Sequence, residues 1–105
     1  MYQTSLVTDQ NELEACSSLF GVSLDKVNFL TKDRWGFLVQ VRREKDGILV
    51  GTAIVSLNYT FYQGPVAAID RLKILDSDAS TCLLQFLDNF FYEKLGLIKV
   101  RYRMA

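Results

Sequence analysis

Two residue types limit the nucleophilic and metal chemistry of the chain, which contains two cysteines, Cys16 and Cys82, and no histidine. A cysteine nucleophile normally needs a histidine base, and histidine is the commonest metal ligand. His-assisted nucleophilic catalysis and His-rich metal sites are therefore excluded. Any general base must be a carboxylate, a tyrosine, a chain terminus or a water chain. Two isolated cysteines in a chain that resembles a cytosolic protein are predicted to be reduced core residues.

Basic residues alternate near the end of the sequence, at Lys99, Arg101 and Arg103. Because strand side chains point to opposite faces in turn, these three would share one face of a strand. One interpretation is a solvated face that discourages edge-to-edge aggregation. The other is a site for an acidic partner or for the phosphates of a nucleotide. The sequence leaves both interpretations open.

The hydrophobic pattern predicts five strands and three helices that would position these residues. Gly21 and Gly96 are predicted to end the first and last helices, because glycine tolerates positive φ. The last helix is long enough for a crossover, so the strands on either side of it are predicted to be parallel. The predicted strands are Tyr2 to Val7, a segment from Trp35 through Arg42, Ile48 to Tyr59, Val66 to Leu75 and Leu97 to Met104. The predicted helices run from a Thr8 or Asp9 cap to Gly21, from Asp25 to Thr31, and from the Asp76–Thr81 segment to Gly96.

The predicted strand after Trp35 would place Phe37, Val39 and Val41 on one face and Leu38, Gln40 and Arg42 on the other. Gln63-Gly64-Pro65 is predicted to be a turn before the fourth strand. The last helix is predicted to bury one apolar stripe. That stripe consists of Leu83, Leu84, Leu87, Phe90, Phe91 and Leu95.

The composition predicts one folded domain over residues 1–105, since half of the residues are hydrophobic and one is proline. Lys and Arg together number 12, as do Asp and Glu. A neutral chain lacks the basic excess of a nucleic-acid-binding protein, so no nucleic-acid partner is expected. No apolar run approaches the ~20 residues that span a bilayer. With no signal peptide recognised, we expect no membrane association and a cytoplasmic location.

One stretch carries a family resemblance: residues 49–59 (LVGTAIVSLNY), then Gln63-Gly64, then residues 68–74 (AIDRLKI). It resembles the GNAT superfamily of acetyl-CoA-dependent N-acetyltransferases, and among its subgroups is most similar to the diamine acetyltransferases. The resemblance implies an α/β (α+β) fold with a GNAT-like mixed central sheet and helices on both faces. The predicted order of strand, two helices, three antiparallel strands, helix and strand agrees with that fold.

The resemblance gives Asp70 the position of a glutamate that acts as general base in many relatives, usually through water. Such a base removes a proton from the substrate amine before the amine attacks the thioester. The structural alternative for Asp70 is an ion pair with Arg71 or with a neighbouring strand residue. Leu72, Lys73 and Ile74 match the place where relatives hydrogen-bond the pantetheine arm through backbone groups, and ordinary sheet pairing is the alternative there.

A second candidate region is the polar and aromatic tip formed by Asn58, Tyr59, Phe61 and Tyr62. The resemblance places this tip near the acceptor-substrate end of the fold. Exposed aromatic side chains could hold a ligand or a protein partner, because they bury a large area with little loss of entropy. Packing of an ordinary loop is the alternative.

The segment after the fourth strand departs from the family pattern. Relatives have an Arg/Gln-x-x-Gly-x-Gly/Ala loop there, whose backbone N–H groups hold the cofactor pyrophosphate together with the helix N-terminus. This chain has instead Asp76-Ser77-Asp78-Ala79-Ser80-Thr81, without glycine or a basic residue. Its candidate cofactor contacts are Asp76, Ser77, Ser80 and Thr81, but the two aspartates would repel a pyrophosphate. The alternative is simply a capped helix start.

The second departure is length, since relatives usually continue past the fifth strand with a helix and two strands. We expect the last-strand edge to pair with a second copy or with another protein partner. Three functions follow as hypotheses. The first is a degenerate GNAT-fold module for binding or regulation. The second is a minimal acetyl-CoA-dependent N-acetyltransferase, completed by dimerisation, and the third is an acyl-CoA-binding sensor without turnover.

Overall fold

The computed structural model describes residues 1–28, 36–60, 64–97 and 100–104. The element order predicted from the sequence is confirmed. The elements are β1 (Tyr2–Leu6), α1 (Gln10–Phe20), α2 (Leu24–Asn28), β2 (Gly36–Arg43), β3 (Leu49–Thr60), β4 (Gly64–Ile74), α3 (Ala79–Leu95) and β5 (Arg101–Met104).

The strands form one sheet in the order β1-β2-β3-β4-β5. The first four strands pair antiparallel, whereas β5 pairs with β4 in parallel. The predicted parallel pair is therefore confirmed, because α3 carries the chain back along the sheet between the two strands. This pairing is short, since it joins only Val66–Ile69 to Arg101–Met104.

Helices cover both faces of the sheet, and each face has its own apolar core. On the α3 face, strand residues such as Val39 and Val41 pack with Leu83, Leu87 and Phe91. On the other face, Cys16 and Val27 pack with Leu38 and Ile54. The predicted alternation of faces in β2 is confirmed, because period-two side chains must divide between two cores.

The ends of α1 and α3 follow their capping residues. The carboxylate of Asp9 accepts a hydrogen bond from the backbone N–H of Asn11 at 2.7 Å, which makes Asp9 the N-cap of α1. Gly21 and Gly96 end the two helices with φ values of 72° and 68°. Both glycines thus adopt the left-handed conformation that the sequence predicts for them.

Several predicted bounds and burials differ from the structure. Leu84 and Leu95 are 42% and 52% exposed, so they do not belong to the buried stripe of α3. Leu84 lies one position off the stripe that faces the sheet, so it turns toward solvent, and Leu95 is the last residue of the helix. The fourth strand begins earlier than predicted, because Gly64 and Pro65 already pair with β3. The start of β5 is at Arg101.

Some predictions concern residues outside the described ranges: Trp35, the extension of α2 to Thr31, Phe61, Tyr62, Gln63 and Lys99. Of the described helices, none is both long and apolar enough to cross a membrane.

Candidate functional site

Asp70 occupies a bulge in β4. Across the β3–β4 pair, Ile54 lies opposite Arg71 while the next residue, Val55, lies opposite Ile69. Asp70 is therefore an extra residue that has no direct opposite on β3. A bulge bends its strand, increases the local twist and re-aims a side chain. It also divides β4 into a first part that pairs with β5 and a second part, Asp70–Ile74, beyond that pairing.

The half-buried carboxylate of Asp70 accepts a hydrogen bond from the hydroxyl of Ser56 at 3.0 Å. Ser56 is not among the residues that the sequence predicts for the site. Among the described residues, no ion pair joins Asp70 to Arg71. This bond occupies one acceptor position of the carboxylate and fixes the orientation of the Asp70 side chain. The sequence carries no local signal for this contact, because 14 residues separate the two partners.

The second part of β4 presents backbone groups along one edge. The N–H of Leu75 donates to the carbonyl of Val50 at 2.8 Å, and antiparallel pairing alternates from there. Lys73 therefore directs its N–H and C=O toward β3, whereas Leu72 and Ile74 direct theirs away from β3. In the described ranges, no strand pairs with that outer side of Leu72 and Ile74. Two of the three residues predicted to contact the pantetheine arm, Leu72 and Ile74, thus have backbone groups that face away from β3.

The turn between β4 and α3 uses its own donors internally. The N–H of Asp78 donates to the carboxylate of Asp76 at 3.3 Å, and the N–H of Ala79 donates to the carbonyl of Asp76 at 2.9 Å. Both the N–H and the hydroxyl of Ser80 donate to the carbonyl of Ser77, at 3.3 Å and 2.8 Å. Three successive N–H groups are therefore already bonded. Ser77 and Thr81 are exposed on either side of this turn.

Asp76 is the charged centre of this turn. Its carboxylate accepts a hydrogen bond from the hydroxyl of Tyr2, on the first strand. That bond, together with the bond from the N–H of Asp78, lowers the pKa of Asp76. Asp76 is therefore a carboxylate anion at neutral pH. Its carboxylate accepts hydrogen bonds from the Tyr2 hydroxyl and the Asp78 N–H, donors that an incoming anion would need.

The pyrophosphate of a nucleotide cofactor does not fit this turn. A phosphate site at a helix N-terminus needs free N–H groups that point at the ligand. Here the N–H groups of Asp78, Ala79 and Ser80 already have acceptors within the turn. The two aspartates also place negative charge there, where a pyrophosphate would add more of the same sign.

The polar and aromatic tip is only partly described. Asn58 is exposed and lies opposite Val66, while Tyr59 lies in β3 opposite Pro65. Phe61 and Tyr62 lie outside the described residues. Asn58 and Ser56 are two positions apart on β3, so they share the sheet face from which Ser56 reaches Asp70. Asn58 therefore lies on the same side of the sheet as Asp70.

Arg101 and Arg103 are both exposed, as the alternation in the last strand predicts. Between them, Tyr102 packs toward the α3 face, where its ring centroid lies 6.4 Å from that of Phe91. Its hydroxyl donates to the carboxylate of Asp88 at 2.5 Å. Partial burial, then this hydrogen bond, raises the pKa of Tyr102 well above its ordinary value.

Solved structures of N-acetyltransferases share the arrangement of the whole chain. A ribosomal-protein-alanine N-acetyltransferase from Brucella melitensis biovar Abortus matches with a TM-score of 0.75 at 15% identity, over 100% of this chain and 82% of its own. An aminoglycoside acetyltransferase from an uncultured soil metagenomic sample matches with a TM-score of 0.72 at 12% identity, over 100% and 79%. The chain has the GNAT fold. A glucosamine-6-phosphate N-acetyltransferase from Arabidopsis thaliana also matches, with a TM-score of 0.63 at 13% identity over 100% and 83%.

The assignment to the GNAT fold comes from three-dimensional arrangement rather than from sequence similarity. No protein-family model and no curated protein sequence matches the chain. Backbone arrangement persists when side chains diverge, because a fold needs only the pattern of apolar and turn residues. The narrower resemblance to diamine acetyltransferases stays a prediction.

Proposed function

We propose that this GNAT-fold chain is a binding or regulatory module with little or no transferase activity. The observation that carries the proposal is the turn before α3, where the N–H groups of Asp78, Ala79 and Ser80 are bonded internally. Since a pyrophosphate needs such donors free, binding of acetyl-CoA would require the turn to open first. The cost of breaking these bonds would lower cofactor affinity.

Electrostatics supports the same proposal. Asp76 carries a negative charge at neutral pH, and its lowered pKa extends that charge to more acidic pH. Asp78 is exposed two positions further on and adds a second carboxylate. Like charges close together are unfavourable, so both residues oppose a doubly charged pyrophosphate. The turn contains no basic residue that would offset this repulsion.

A second candidate is a minimal acetyl-CoA-dependent N-acetyltransferase completed by dimerisation, with Asp70 as general base. It is favoured by the bulge, which aims Asp70 at Ser56 where β4 extends beyond its pairing with β5. The outward backbone groups of Leu72 and Ile74 would suit an extended amide-containing arm. An acyl-CoA sensor without turnover would use the same edge.

The test is titration calorimetry of the full chain with acetyl-CoA, with coenzyme A as the comparison ligand. We expect no measurable heat with either ligand at micromolar protein. The Asp76→Asn/Asp78→Asn double variant separates charge repulsion from the lack of free N–H groups. It removes both charges, while an asparagine at position 76 can still accept the backbone N–H of residue 78. Micromolar binding to the unmodified chain would refute the proposal.

If acetyl-CoA does bind, turnover decides between the two remaining functions. Transfer of acetyl groups to a panel of amines, lost in Asp70→Asn but kept in the matched variant Asp88→Asn, would establish the minimal enzyme. Binding without transfer to any amine in the panel would favour the sensor. Light scattering at high protein concentration tests the proposed homodimer separately, and a monomeric mass would refute it.

A further inference from the structure

Four exposed basic residues lie on one face of the sheet where β4 and β5 meet: Arg71, Lys73, Arg101 and Arg103. Ala67 and Ile69 face the α3 core, so their neighbours Val66 and Ala68 face the opposite side. In the parallel register, Arg101 and Arg103 lie beside Val66 and Ala68. These two arginines therefore lie on the side away from α3.

The bulge brings Arg71 and Lys73 to that same side. Arg71 lies opposite Ile54, which belongs to the core beneath α1 and α2, and Lys73 lies two residues further along. We call the four residues Arg71, Lys73, Arg101 and Arg103 the basic face. In the described part of the chain none of the four is in an ion pair. Asp70, on the same side, is bound by Ser56.

The outer edge of β4 adjoins the basic face and offers the groups that a further strand would need. Leu72 and Ile74 direct their backbone N–H and C=O groups toward this edge. Their side chains lie on the α3 side, where Leu72 is 37% exposed and Ile74 packs against the core. A strand added here would therefore meet cations on one side and apolar side chains on the other.

We propose that this edge binds an extended acidic peptide of a protein partner by strand addition along Asp70–Ile74. Because side chains of the added strand alternate, its acidic residues would face Arg71 and Lys73 while its apolar residues would face Leu72 and Ile74. The ligand class is thus a peptide of alternating acidic and apolar residues. This proposal names the partner of the binding module and rests on the proposed function.

A peptide fits this edge better than a nucleic acid does. A phosphodiester chain could contact the basic face, but it has no regular series of N–H and C=O groups to pair with Leu72 and Ile74. The chain as a whole carries no net charge, so long-range attraction of a polyanion is weak. Backbone pairing would supply affinity, and the charges would select the acidic sequence.

The experiment measures fluorescence anisotropy of a labelled peptide of alternating glutamate and valine, titrated with the full chain. We expect saturable binding that a lysine–valine peptide does not show. A peptide of the same composition with its glutamates in one block should bind at least about tenfold more weakly, because only alternation places charges and apolar groups on opposite sides. A single-stranded oligonucleotide is titrated in parallel.

Two further comparisons separate strand addition from simple charge attraction. The Arg71→Gln/Lys73→Gln variant should weaken binding about tenfold, a change expected for two partner charges. The matched Lys45→Gln/Lys94→Gln variant loses the same charge from exposed positions elsewhere and should bind unchanged. N-methylation of every second peptide amide, in both registers, should abolish binding in one register only, since only one register pairs with the edge.

The outcomes distinguish a failure of strand addition from a failure of the proposed function as a binding or regulatory module. Absence of peptide binding, equal weakening by both glutamine variants, insensitivity to N-methylation, or tighter binding of the oligonucleotide would each overturn the strand-addition proposal. None of these results would affect the proposed function, which stands as long as acetyl-CoA gives no heat. Displacement of a bound peptide by acetyl-CoA would instead show that the edge also accepts the cofactor, which would refute the proposed function and leave strand addition standing.

Discussion

The hydroxyl of Tyr2 donates a hydrogen bond to the carboxylate of Asp76, across 74 positions of sequence. The bond joins β1, at one edge of the sheet, to the turn that precedes α3. It accompanies a lowered pKa at Asp76 and a raised pKa at Tyr2. The turn in which a pyrophosphate would need free donors is therefore fixed from both sides, by its own N–H groups and by the first strand.

The ionisation of Tyr2 should depend on Asp76. The hydrogen bond to Asp76, then desolvation and the nearby negative charge, raises the pKa of Tyr2 from 10.0 to about 12. In the Asp76→Asn variant the side chain at position 76 has no charge, so the pKa of Tyr2 should fall back toward its ordinary value. A difference in ultraviolet absorbance titrations between the two proteins measures this. Asp78→Asn is the matched control and should shift the titration less, because Asp78 acts only through its charge.

The sign of the stability change follows from these two shifts. A raised folded-state pKa at Tyr2 gives stability that is complete below pH ~10 and is lost as the pH rises toward 12. The lowered pKa of Asp76 gives stability that is present above its ordinary value of 3.8 and is lost as the pH falls. Asp76→Asn should therefore flatten both limbs of the stability profile, as measured by urea unfolding. Identical profiles for the two proteins would contradict the Tyr2–Asp76 bond.

Gly51 should be needed because Ile74 lies across it. A Cβ atom at position 51 would be 2.7 Å from the Cδ1 atom of Ile74, which is closer than side-chain carbons approach. Gly51→Ala should lower the free energy of unfolding by roughly 1 kcal/mol as Ile74 shifts. Combined with Ile74→Val, which shortens the side chain, the loss should be smaller than the sum of the single losses. Urea unfolding of all four proteins completes the cycle, and strict additivity would refute the contact.

Phe91 should be the main anchor of α3 on the sheet. Its ring is fully buried and lies 5.9 Å from Phe37 and 5.8 Å from Phe90, measured between centroids. Phe91→Ala should cost about 3 to 5 kcal/mol, because it combines lost burial with a cavity. Tyr92→Ala, at a neighbouring position that is 61% exposed, should change stability by less than about 0.5 kcal/mol.

The milder variant Phe91→Leu keeps the test informative if Phe91→Ala fails to fold. The midpoint of its thermal unfolding should lie between those of Phe91→Ala and Tyr92→Ala. Equal midpoints for Phe91→Leu and Tyr92→Ala would contradict the assigned role of Phe91.

The two cysteines should differ sharply in reactivity. Cys16 is fully buried, and desolvation raises the pKa of its thiol, whereas Cys82 is partly exposed on α3. A thiolate-selective disulfide reagent should therefore modify Cys82 quickly in the folded protein and Cys16 only after unfolding. The variants Cys16→Ala and Cys82→Ala assign each thiol. Fast reaction of Cys16 in folded Cys82→Ala would place it outside the core.

Local patterns in the sequence determined the elements of this fold. The change from helical spacing to period two after residue 35 predicted β2, and a long run that is apolar on both faces predicted β3. The crossover length of α3 predicted the parallel β4–β5 pair. Gly21 and Gly96 predicted helix ends through positive φ, and the start of α1 was predicted at a Thr8 or Asp9 cap, because both signals depend only on neighbouring residues. The structure selects Asp9. These features are legible because hydrogen bonding within an element repeats over a few residues.

Burial along α3 marks where the local pattern stops being sufficient. Leu83 and Leu84 are the same residue type at adjacent positions, yet the first is 2% exposed and the second is 42% exposed. Only the angle at which the helix crosses the sheet decides which one is covered. The sequence therefore predicted an apolar stripe but assigned it too wide a face.

The site depends still more on tertiary structure. The sequence by itself determined which residue types stand at Asp70 and at the Asp76–Thr81 turn, and that glycine is missing from that turn. Only the folded sheet brought Ser56 to Asp70 and Tyr2 to Asp76, and only its register made Asp70 a bulge and turned Leu72 and Ile74 outward. Strand register depends on side chains from several distant segments that pack together, so no local window of sequence contains it.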